Sequence, residues 1–228
     1  MRRAILLLFL TTLLTAQAEV EITAEPHHHQ IFANDQVRVF NVDVAAHTDT
    51  LMHWHRHDYI YVTLGDSEVV NAVQGKAPVT VTLRDGQTDL LHAPYAHVAH
   101  NQSDKPFRNV TIELLQDEAL RHSTHRWDES RGLDILHGGT KEILWVKDAV
   151  RATEFELQPG GMIPEHHHAG PHLVVALTDY TLRSDQPGKP PTTSSMKTGD
   201  IKWVPGGYTH TLMNTGTAPA KFVALEFP

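Results

Sequence analysis

The strongest constraint on the fold is an internal repeat whose two copies are offset by 113 residues. The offset carries His53 onto His166 and His97 onto His210. Roughly 19 of about 82 aligned positions are identical without a gap, whereas about five would agree by chance. A chain duplicated in this way is expected to fold into two units of the same topology.

Both copies have the sequence pattern of short β-strands. Residues 37–44 and 107–115 of the first copy, and residues 172–178 and 221–227 of the second, are rich in β-branched and aromatic residues. Turn-forming residues such as those at 205–207 (Pro-Gly-Gly) separate these segments. Many short strands with turns between them predict an all-β protein of the sandwich or barrel type, jelly rolls included.

The N-terminus has the pattern of a secretory signal peptide. An arginine pair at residues 2–3 precedes an apolar run at residues 4–14, which is too short to span a bilayer. The small-x-small site at residues 16–18 (Ala-Gln-Ala) predicts cleavage before Glu19 and a periplasmic or secreted protein. An uncleaved N-terminal anchor is the alternative. No second apolar stretch approaches membrane-spanning length.

The charged stretch between the copies is interpreted as a surface linker, and it is the only plausible helical or irregular segment. The predicted organisation is therefore a leader at residues 1–18, an N-terminal domain at 19–116, a linker at 117–141 and a C-terminal domain at 142–228.

Composition excludes some classes of partner and ligand. The formal charge is −8 and there is no basic cluster, so nucleic acid is not an expected partner. The chain has no cysteine, so any metal must be held by nitrogen and oxygen atoms. The 18 histidines all follow the predicted leader, and a density this high requires an explanation.

The histidines of residues 160–179 point to a metal site. His166 and His168 are two residues apart, so they share one face of an extended strand. A turn after them could return His172 to the same pocket, and His210 comes from far downstream. Converging neutral imidazoles are good ligands for zinc, copper, iron and nickel. A solvated, histidine-rich loop is the alternative interpretation.

At these residues the chain resembles the cupin superfamily, and its two copies resemble a bicupin. The cupin pattern has a first motif, G-x5-H-x-H-x3/4-E-x6-G, and a second motif, G-x5-P-x-G-x2-H-x3-N. The second copy fits the whole second motif, at Gly199, Pro205, Gly207, His210 and Asn214. It fits the first motif at Gly160, His166 and His168, and departs from it at His172, where the family usually has Glu, and at Asp179, where it has Gly.

The first copy departs further from the family pattern. It keeps His53 and His55 of the first motif, with Tyr59 at the Glu position. The remaining matches are Gly86, His97 and Asn101, while His47 replaces the first Gly, His92 replaces Pro and Pro94 replaces Gly. The resemblance covers about residues 31–227.

The resemblance implies a double-stranded β-barrel in each copy, with a divalent transition metal inside. The implied ligands are His53, His55 and His97 in the first copy, and His166, His168, His172 and His210 in the second. Tyr59 is a doubtful fourth ligand in the first copy, and Asp58 is an alternative. Zinc, copper, iron, nickel and manganese are all candidates, although replacing Glu by His weakens the preference for manganese.

The intact second motif and the extra imidazole predict that the second copy holds the tighter metal site.

Other residues have two open interpretations. Tyr95, Tyr208 and Tyr59 are candidate catalytic residues, or they simply pack beside the metal. Glu113 and Glu226 are internal acid/base groups or lie on a solvent face. Residues 27–29 (His-His-His) are a metal-scavenging arm or, as we favour, a plain polar start to the first strand.

Three functional classes remain at this stage. The first is a metalloenzyme, dioxygenase- or decarboxylase-like, acting on a small organic molecule. The second is a non-catalytic periplasmic protein that binds a metal or a small ligand. The third, a metal-free isomerase or sugar-binding cupin, is disfavoured by the retained histidines. Fold alone does not distinguish the first two, and a homo-oligomer is left open.

Overall fold

The computed structural model describes residues 19–127 and 133–228, and the predicted leader lies outside them. The first half of the described chain is built from ten strands, a 3-10 turn at Ile22–Ala24 and one short helix, α1, at Asp117–Arg121. The strands are β1 Val20–Glu21, β2 His28–Ala33, β3 Val37–Val44, β4 His53–His55, β5 Tyr59–Thr63, β6 Ser67–Val73, β7 Val79–Leu83, β8 Thr88–Leu91, β9 Tyr95–Asn101 and β10 Phe107–Leu114.

The second half of the described chain adds eight strands. They are β11 Leu133–Lys147, β12 Val150–His168, β13 His172–Ala176, β14 Tyr180–Asp185, β15 Thr192–Met196, β16 Ile201–Val204, β17 Tyr208–Asn214 and β18 Ala220–Glu226. The all-β prediction is confirmed. In the described part of the chain, no helix has the length and apolar character needed to cross a membrane.

The first half, here called the first barrel, consists of two five-stranded sheets. One has the order β1-β4-β9-β6-β7 and the other β2-β3-β10-β5-β8. Because side chains alternate across a strand, one face of each sheet points into the barrel. Buried Phe40 and Val42 from one sheet pack there with Val69 and Ala99 from the other. This apolar filling occupies only part of the interior and leaves room beside β4 and β9.

The second half, here called the second barrel, repeats this arrangement with one difference in continuity. The order β15-β14-β17-β12 matches β7-β6-β9-β4, and β12-β18-β13-β16 matches β3-β10-β5-β8. Strand β12 is 19 residues long and serves in both sheets, where the first barrel uses β3 and β4. His166 pairs with His210 as His53 pairs with His97, so the repeat predicted from the sequence is present in the strand register.

The two barrels share one hydrophobic core. It combines first-barrel side chains such as Ile60 and Ile112 with second-barrel side chains such as Leu173 and Leu225, all fully buried. Polar bonds cross the same boundary, where the Trp145 indole Nε1 donates to the backbone oxygen of Thr88 over 3.0 Å. The burial of these side chains therefore depends on both halves being present.

Two equivalent glycines show that the barrels meet with approximate two-fold symmetry. Gly86 and Gly199 occupy the same place in the repeat and have φ of +75° and +88°. A Cβ on Gly86 would lie 2.8 Å from a methyl carbon of Leu177, and one on Gly199 would lie 3.1 Å from a methyl carbon of Leu64. Leu64 and Leu177 are also repeat equivalents, so each barrel places the same leucine against the other barrel's glycine.

The segment between the barrels contributes structure of its own. Helix α1 lies at the start of the predicted linker, and β11 begins at Leu133, before the predicted start of the C-terminal domain at residue 142. Strand β11 pairs with β12 as β2 pairs with β3. Secondary structure therefore extends into the predicted linker, and the domain boundaries themselves remain predictions.

Candidate metal centres

The first barrel brings its three motif histidines together. His53 and His55 lie on β4 and His97 lies opposite them on β9. The ring centres are 4.5 Å apart for His53 and His97, 5.1 Å for His53 and His55, and 5.4 Å for His55 and His97. The side chains alternate as the i, i+2 spacing predicts, because His53 and His55 both point into the barrel.

His28 joins this group, although the sequence interpretation did not assign it to a metal site. Its ring centre lies 4.6 Å from that of His53, and its side chain is only 5% exposed. One ligand nitrogen from each of His28, His53 and His55 lies within 4.8 Å of the others. We call His28, His53, His55 and His97 the first histidine cluster. The triplet at residues 27–29 does begin a strand, as we favoured, but the His28 ring lies inside the barrel beside His53.

The second barrel forms a second histidine cluster from His166, His168 and His210. The ring centres are 4.5 Å apart for His166 and His210, 4.8 Å for His166 and His168, and 5.5 Å for His168 and His210. Their ligand nitrogens also lie within 4.8 Å of one another. His166 and His168 are more exposed than His53 and His55, so this cluster is nearer to solvent.

At the position where cupins usually have Glu, both barrels place a ring against the second histidine of the first motif, which is His55 in one barrel and His168 in the other. Tyr59 stacks on His55 with ring centres 3.8 Å apart, and His172 stacks on His168 at 4.0 Å. Burial raises the pKa of the Tyr59 phenol well above its usual value. Tyr59 is therefore a neutral phenol, which makes it a poor ligand, whereas His172 keeps a buried Nδ1 without a hydrogen-bond partner.

Backbone carbonyls fix the orientation of one histidine in each cluster, the first histidine of the first cupin motif. His53 Nδ1 donates to the oxygen of Leu51 over 2.9 Å, and His166 Nδ1 donates to the oxygen of Pro164 over 2.8 Å. A carbonyl only accepts, so Nδ1 carries the proton and Nε2 is left with a free lone pair. Nε2 of His53 is buried without a partner. This is the tautomer that a metal-binding histidine requires.

Polar side chains hold the histidine from the opposite strand in position. His97 Nδ1 donates to Asn71 Oδ1, and His210 Nδ1 shares a hydrogen bond with Ser184 Oγ, both at 2.8 Å. Behind them, Tyr95 Oη accepts from Asn71 Nδ2 at 2.7 Å, and Tyr208 Oη shares a hydrogen bond with Ser184 Oγ at 2.8 Å. The two candidate catalytic tyrosines therefore end equivalent hydrogen-bond chains behind equivalent histidines.

The two repeat-equivalent glutamates have different surroundings. Glu226 lies 3.4 Å from His168 Nδ1 and accepts from Arg151 Nε at 2.7 Å. Burial raises the pKa of Glu226, but the neighbouring His168 and Arg151 side chains lower it by more, to about 2. Glu113 is buried near Arg38, and burial raises its pKa. Neither glutamate lies on a solvent face, and Glu226 is the one beside a cluster histidine.

Burial favours the neutral form of His53, His55, His97 and His210. It lowers the pKa of His53 to about 4 and that of His210 to about 3, and it holds those of His55 and His97 well below the usual value. Nearby imidazoles act in the same direction, because a proton on one ring repels a proton on the next. Rings that stay neutral keep the lone pairs that a metal needs.

The residues present fit a transition metal. Buried imidazole nitrogens without a partner are costly unless something binds them, and both clusters contain several. These atoms are Nε2 of His53, both ring nitrogens of His55, Nδ1 of His168, Nδ1 of His172 and Nε2 of His210. An all-imidazole set suits zinc, copper, nickel or iron better than magnesium or calcium.

Asp58, the alternative ligand in the first copy, is engaged elsewhere. Its carboxylate accepts from Arg121 Nε at 2.8 Å and Arg121 Nη2 at 3.0 Å, and from the Ala93 amide at 2.7 Å. His92 Nδ1 lies 3.0 Å away. Asp58 therefore anchors helix α1 to the barrel and does not belong to the first histidine cluster.

Each cluster opens into a small cavity. The first cavity is about 240 Å³ and the second about 260 Å³. Apolar side chains line much of both, with Val69, Leu83 and Phe107 in the first and Leu182, Met196 and Phe222 in the second. The two cavities carry opposite charges at one repeat position, because Asp89 lines the first cavity and Lys202 lines the second.

No protein-family model matches the chain, and no curated protein sequence matches it. Solved structures do resemble it. Oxalate decarboxylase from Lactobacillus farciminis, in a formate complex, is 13% identical with a TM-score of 0.61, covering 91% of this chain and 85% of that one.

Two further structures have the same fold. AerE from Microcystis aeruginosa is 14% identical with a TM-score of 0.59, covering 88% of this chain and 97% of that one. A cupin 2 conserved barrel domain protein from Leptotrichia buccalis is 14% identical with a TM-score of 0.51, covering 88% of each chain. At these identities the likeness concerns the fold alone. The chain therefore has the fold of the cupin superfamily, with a cluster of histidines inside each of two barrels.

Proposed function

We propose that this protein is an exported bicupin that binds a divalent transition metal in each barrel and acts as a metalloenzyme on a small organic molecule. The observation that carries the proposal is the convergence of imidazoles with fixed Nδ1 atoms. His53 and His166 have Nδ1 bound to carbonyls, so each directs a bare Nε2 away from the strand. Export rests on the leader pattern of residues 1–18.

The chain's own residues support chemistry on a small substrate. A bound metal would act as a Lewis acid that polarises a carboxylate or carbonyl oxygen. Apolar side chains such as Phe107 and Phe222 line the two cavities, whose volumes of about 240 and 260 Å³ admit only a small molecule. Decarboxylase- or dioxygenase-like activity is the form we favour, by analogy with the fold. The Tyr95 and Tyr208 hydroxyls lie behind His97 and His210, and Asn71 and Ser184 connect each hydroxyl to its histidine.

The proposal is tested by zinc titration of the mature protein, made without a histidine tag and freed of metal with a chelator. Calorimetry should show about two tight equivalents per chain, one for each cluster. Parallel assays of carbon dioxide release and oxygen consumption with small carboxylic acids would then test catalysis. A wild-type protein that takes up no zinc above buffer background would contradict metal binding in both barrels.

The same titration should depend little on pH between about 7.5 and 5.5, because His53 and His210 are already deprotonated in that range. Burial lowers the pKa of His53 to about 4 and that of His210 to about 3, so protons compete with zinc only at lower pH. Zinc affinity should change by less than about threefold, apart from the hydrolysis of zinc itself. If the histidines were solvated, with a pKa near 6.5, zinc affinity would fall at least about tenfold over this pH range, and that fall would show that the rings are exposed.

A further inference from the structure

We propose that His28, from outside both cupin motifs, is the fourth metal ligand of the first barrel, and that Glu25 is the carboxylate that holds it in place. This inference rests on the proposed metal binding, and it assigns a ligand that the motifs do not contain. It gives the first barrel four imidazoles from three strands, where the motif pattern supplies three histidines.

Strand register brings His28 to the cluster. His28 is the first residue of β2 and lies opposite Val42 of β3. Side chains directly opposite each other on antiparallel strands share a face, and Val42 is buried in the barrel core. His28 therefore enters the barrel, where its ring lies 4.6 Å from that of His53 and 6.3 Å from that of His55.

Glu25 fixes the ring from behind. His28 Nδ1 donates to Glu25 Oε2 at 2.6 Å, and the Glu25 side chain is fully buried. The same oxygen accepts from the His27 amide at 2.8 Å. With Nδ1 engaged, Nε2 of His28 is the nitrogen left for a metal. A carboxylate behind a histidine is the arrangement that orients metal ligands and increases their basicity.

Glu25 also connects His28 to the next ligand along the chain. Its second oxygen accepts from the Leu51 amide at 3.1 Å, and the Leu51 carbonyl accepts from His53 Nδ1. One buried carboxylate thus positions two of the four imidazoles. It also supplies a negative charge beside the first histidine cluster, which would offset part of the charge of a divalent cation.

The second barrel has no counterpart of the His28 and Glu25 pair. The repeat offset carries His28 onto Lys141 and Glu25 onto Gly138. An ammonium group is not a metal ligand, and Lys141 Nζ lies 3.6 Å from Asp134 instead. The fourth imidazole there would come from His172, at the motif position itself. The sequence predicted a tighter site in the second copy because it counted four imidazoles there and three in the first. With His28 included, each barrel has four, so this count no longer predicts a difference in metal affinity.

The test isolates the first barrel with the double variant His166→Ala, His210→Ala as the parent protein. His28→Ala, Glu25→Gln and the matched control His29→Ala are added to it one at a time. His29 belongs to the same triplet and is exposed, so it reports any effect of a scavenging arm. Zinc affinity is measured by competition with a chromophoric chelator, and the number of nitrogen ligands by paramagnetic resonance of the copper(II) form.

We expect His28→Ala to weaken zinc binding by about 100-fold or more, and Glu25→Gln by about 10-fold to 100-fold, the usual effect of losing a partner behind a ligand. The copper spectrum of His28→Ala should lose one nitrogen, and His29→Ala should match the parent. If His28→Ala does not fold, as judged by circular dichroism, His28→Gln replaces it with the same expectation.

Two results would overturn the inference. One is a zinc affinity and copper spectrum for His28→Ala, or for its Gln replacement, equal to those of His29→Ala. The other is a parent protein that binds no zinc while the wild type binds one equivalent, since the first barrel would then hold no metal. Both differ from the failure of the proposed function, in which the wild type itself binds no metal.

Discussion

Replacing both His166 and His210 by alanine should reduce tightly bound zinc from about two equivalents per chain to about one, and replacing His53 and His97 should do the same. Each pair removes two facing ligands from one cluster and leaves the other barrel untouched. Stoichiometry is measured by elemental analysis after equal dialysis against a mild chelator.

The matched control for these variants is His122→Ala, His137→Ala, which removes two exposed histidines outside the clusters. It should keep both equivalents. A control that loses as much zinc as the cluster variants would show that the metal binds to surface histidines. A protein in which one cluster pair can be removed without loss would restrict metal binding to the other barrel.

Replacing Leu173 by alanine should destabilise the whole protein by about 2–5 kcal/mol, because Leu173 is fully buried in the core that both barrels share. The exposed Val79 provides a control, and Val79→Ala should change the free energy of unfolding by less than about 0.5 kcal/mol. Urea unfolding of the metal-free proteins at neutral pH measures both.

The shared core also predicts that the barrels unfold together. Hydrogen exchange followed by mass spectrometry should show peptides from β5 and β13 losing protection at the same urea concentration, in the wild type and in Leu173→Ala. Loss of protection in β13 alone would show that the first barrel is stable without the second, and it would contradict the role given to the common core.

Much of the fold followed from sequence because local pattern and repeat agreed. Strand β3 has the bounds that the β-branched segment at residues 37–44 predicted, and β10 ends one residue before the end of the predicted segment at 107–115. The i, i+2 spacing of His53 and His55 placed both on the inner face, and the repeat placed His166 and His168 likewise. These predictions needed only the alternation of side chains along a strand.

The parts that sequence could not supply depend on contacts between distant segments. In a run of three histidines both faces of the strand carry the same residue, so alternation does not show which ring enters the barrel. Only the pairing of β2 with β3 selects His28. Asp58 lies one position before the acidic position of the first motif, and its contacts depend on Arg121, which lies on a helix outside both motifs.

The same limit applies to the two glutamates at one repeat position. Glu113 and Glu226 are both buried, and each lies beside an arginine. Only Glu226 approaches a cluster histidine, His168. A repeat predicts the backbone position of a residue, whereas the partner of its side chain depends on how the neighbouring rings are oriented.

The most direct test of the central claim is anomalous diffraction at the zinc edge from crystals of the untagged protein grown with stoichiometric zinc. The account predicts one strong peak in each barrel, about 2.0–2.1 Å from imidazole nitrogens. In the first barrel these nitrogens should belong to His28, His53, His55 and His97, and in the second to His166, His168, His172 and His210. Peaks found only on surface histidines, with both clusters empty, would contradict it.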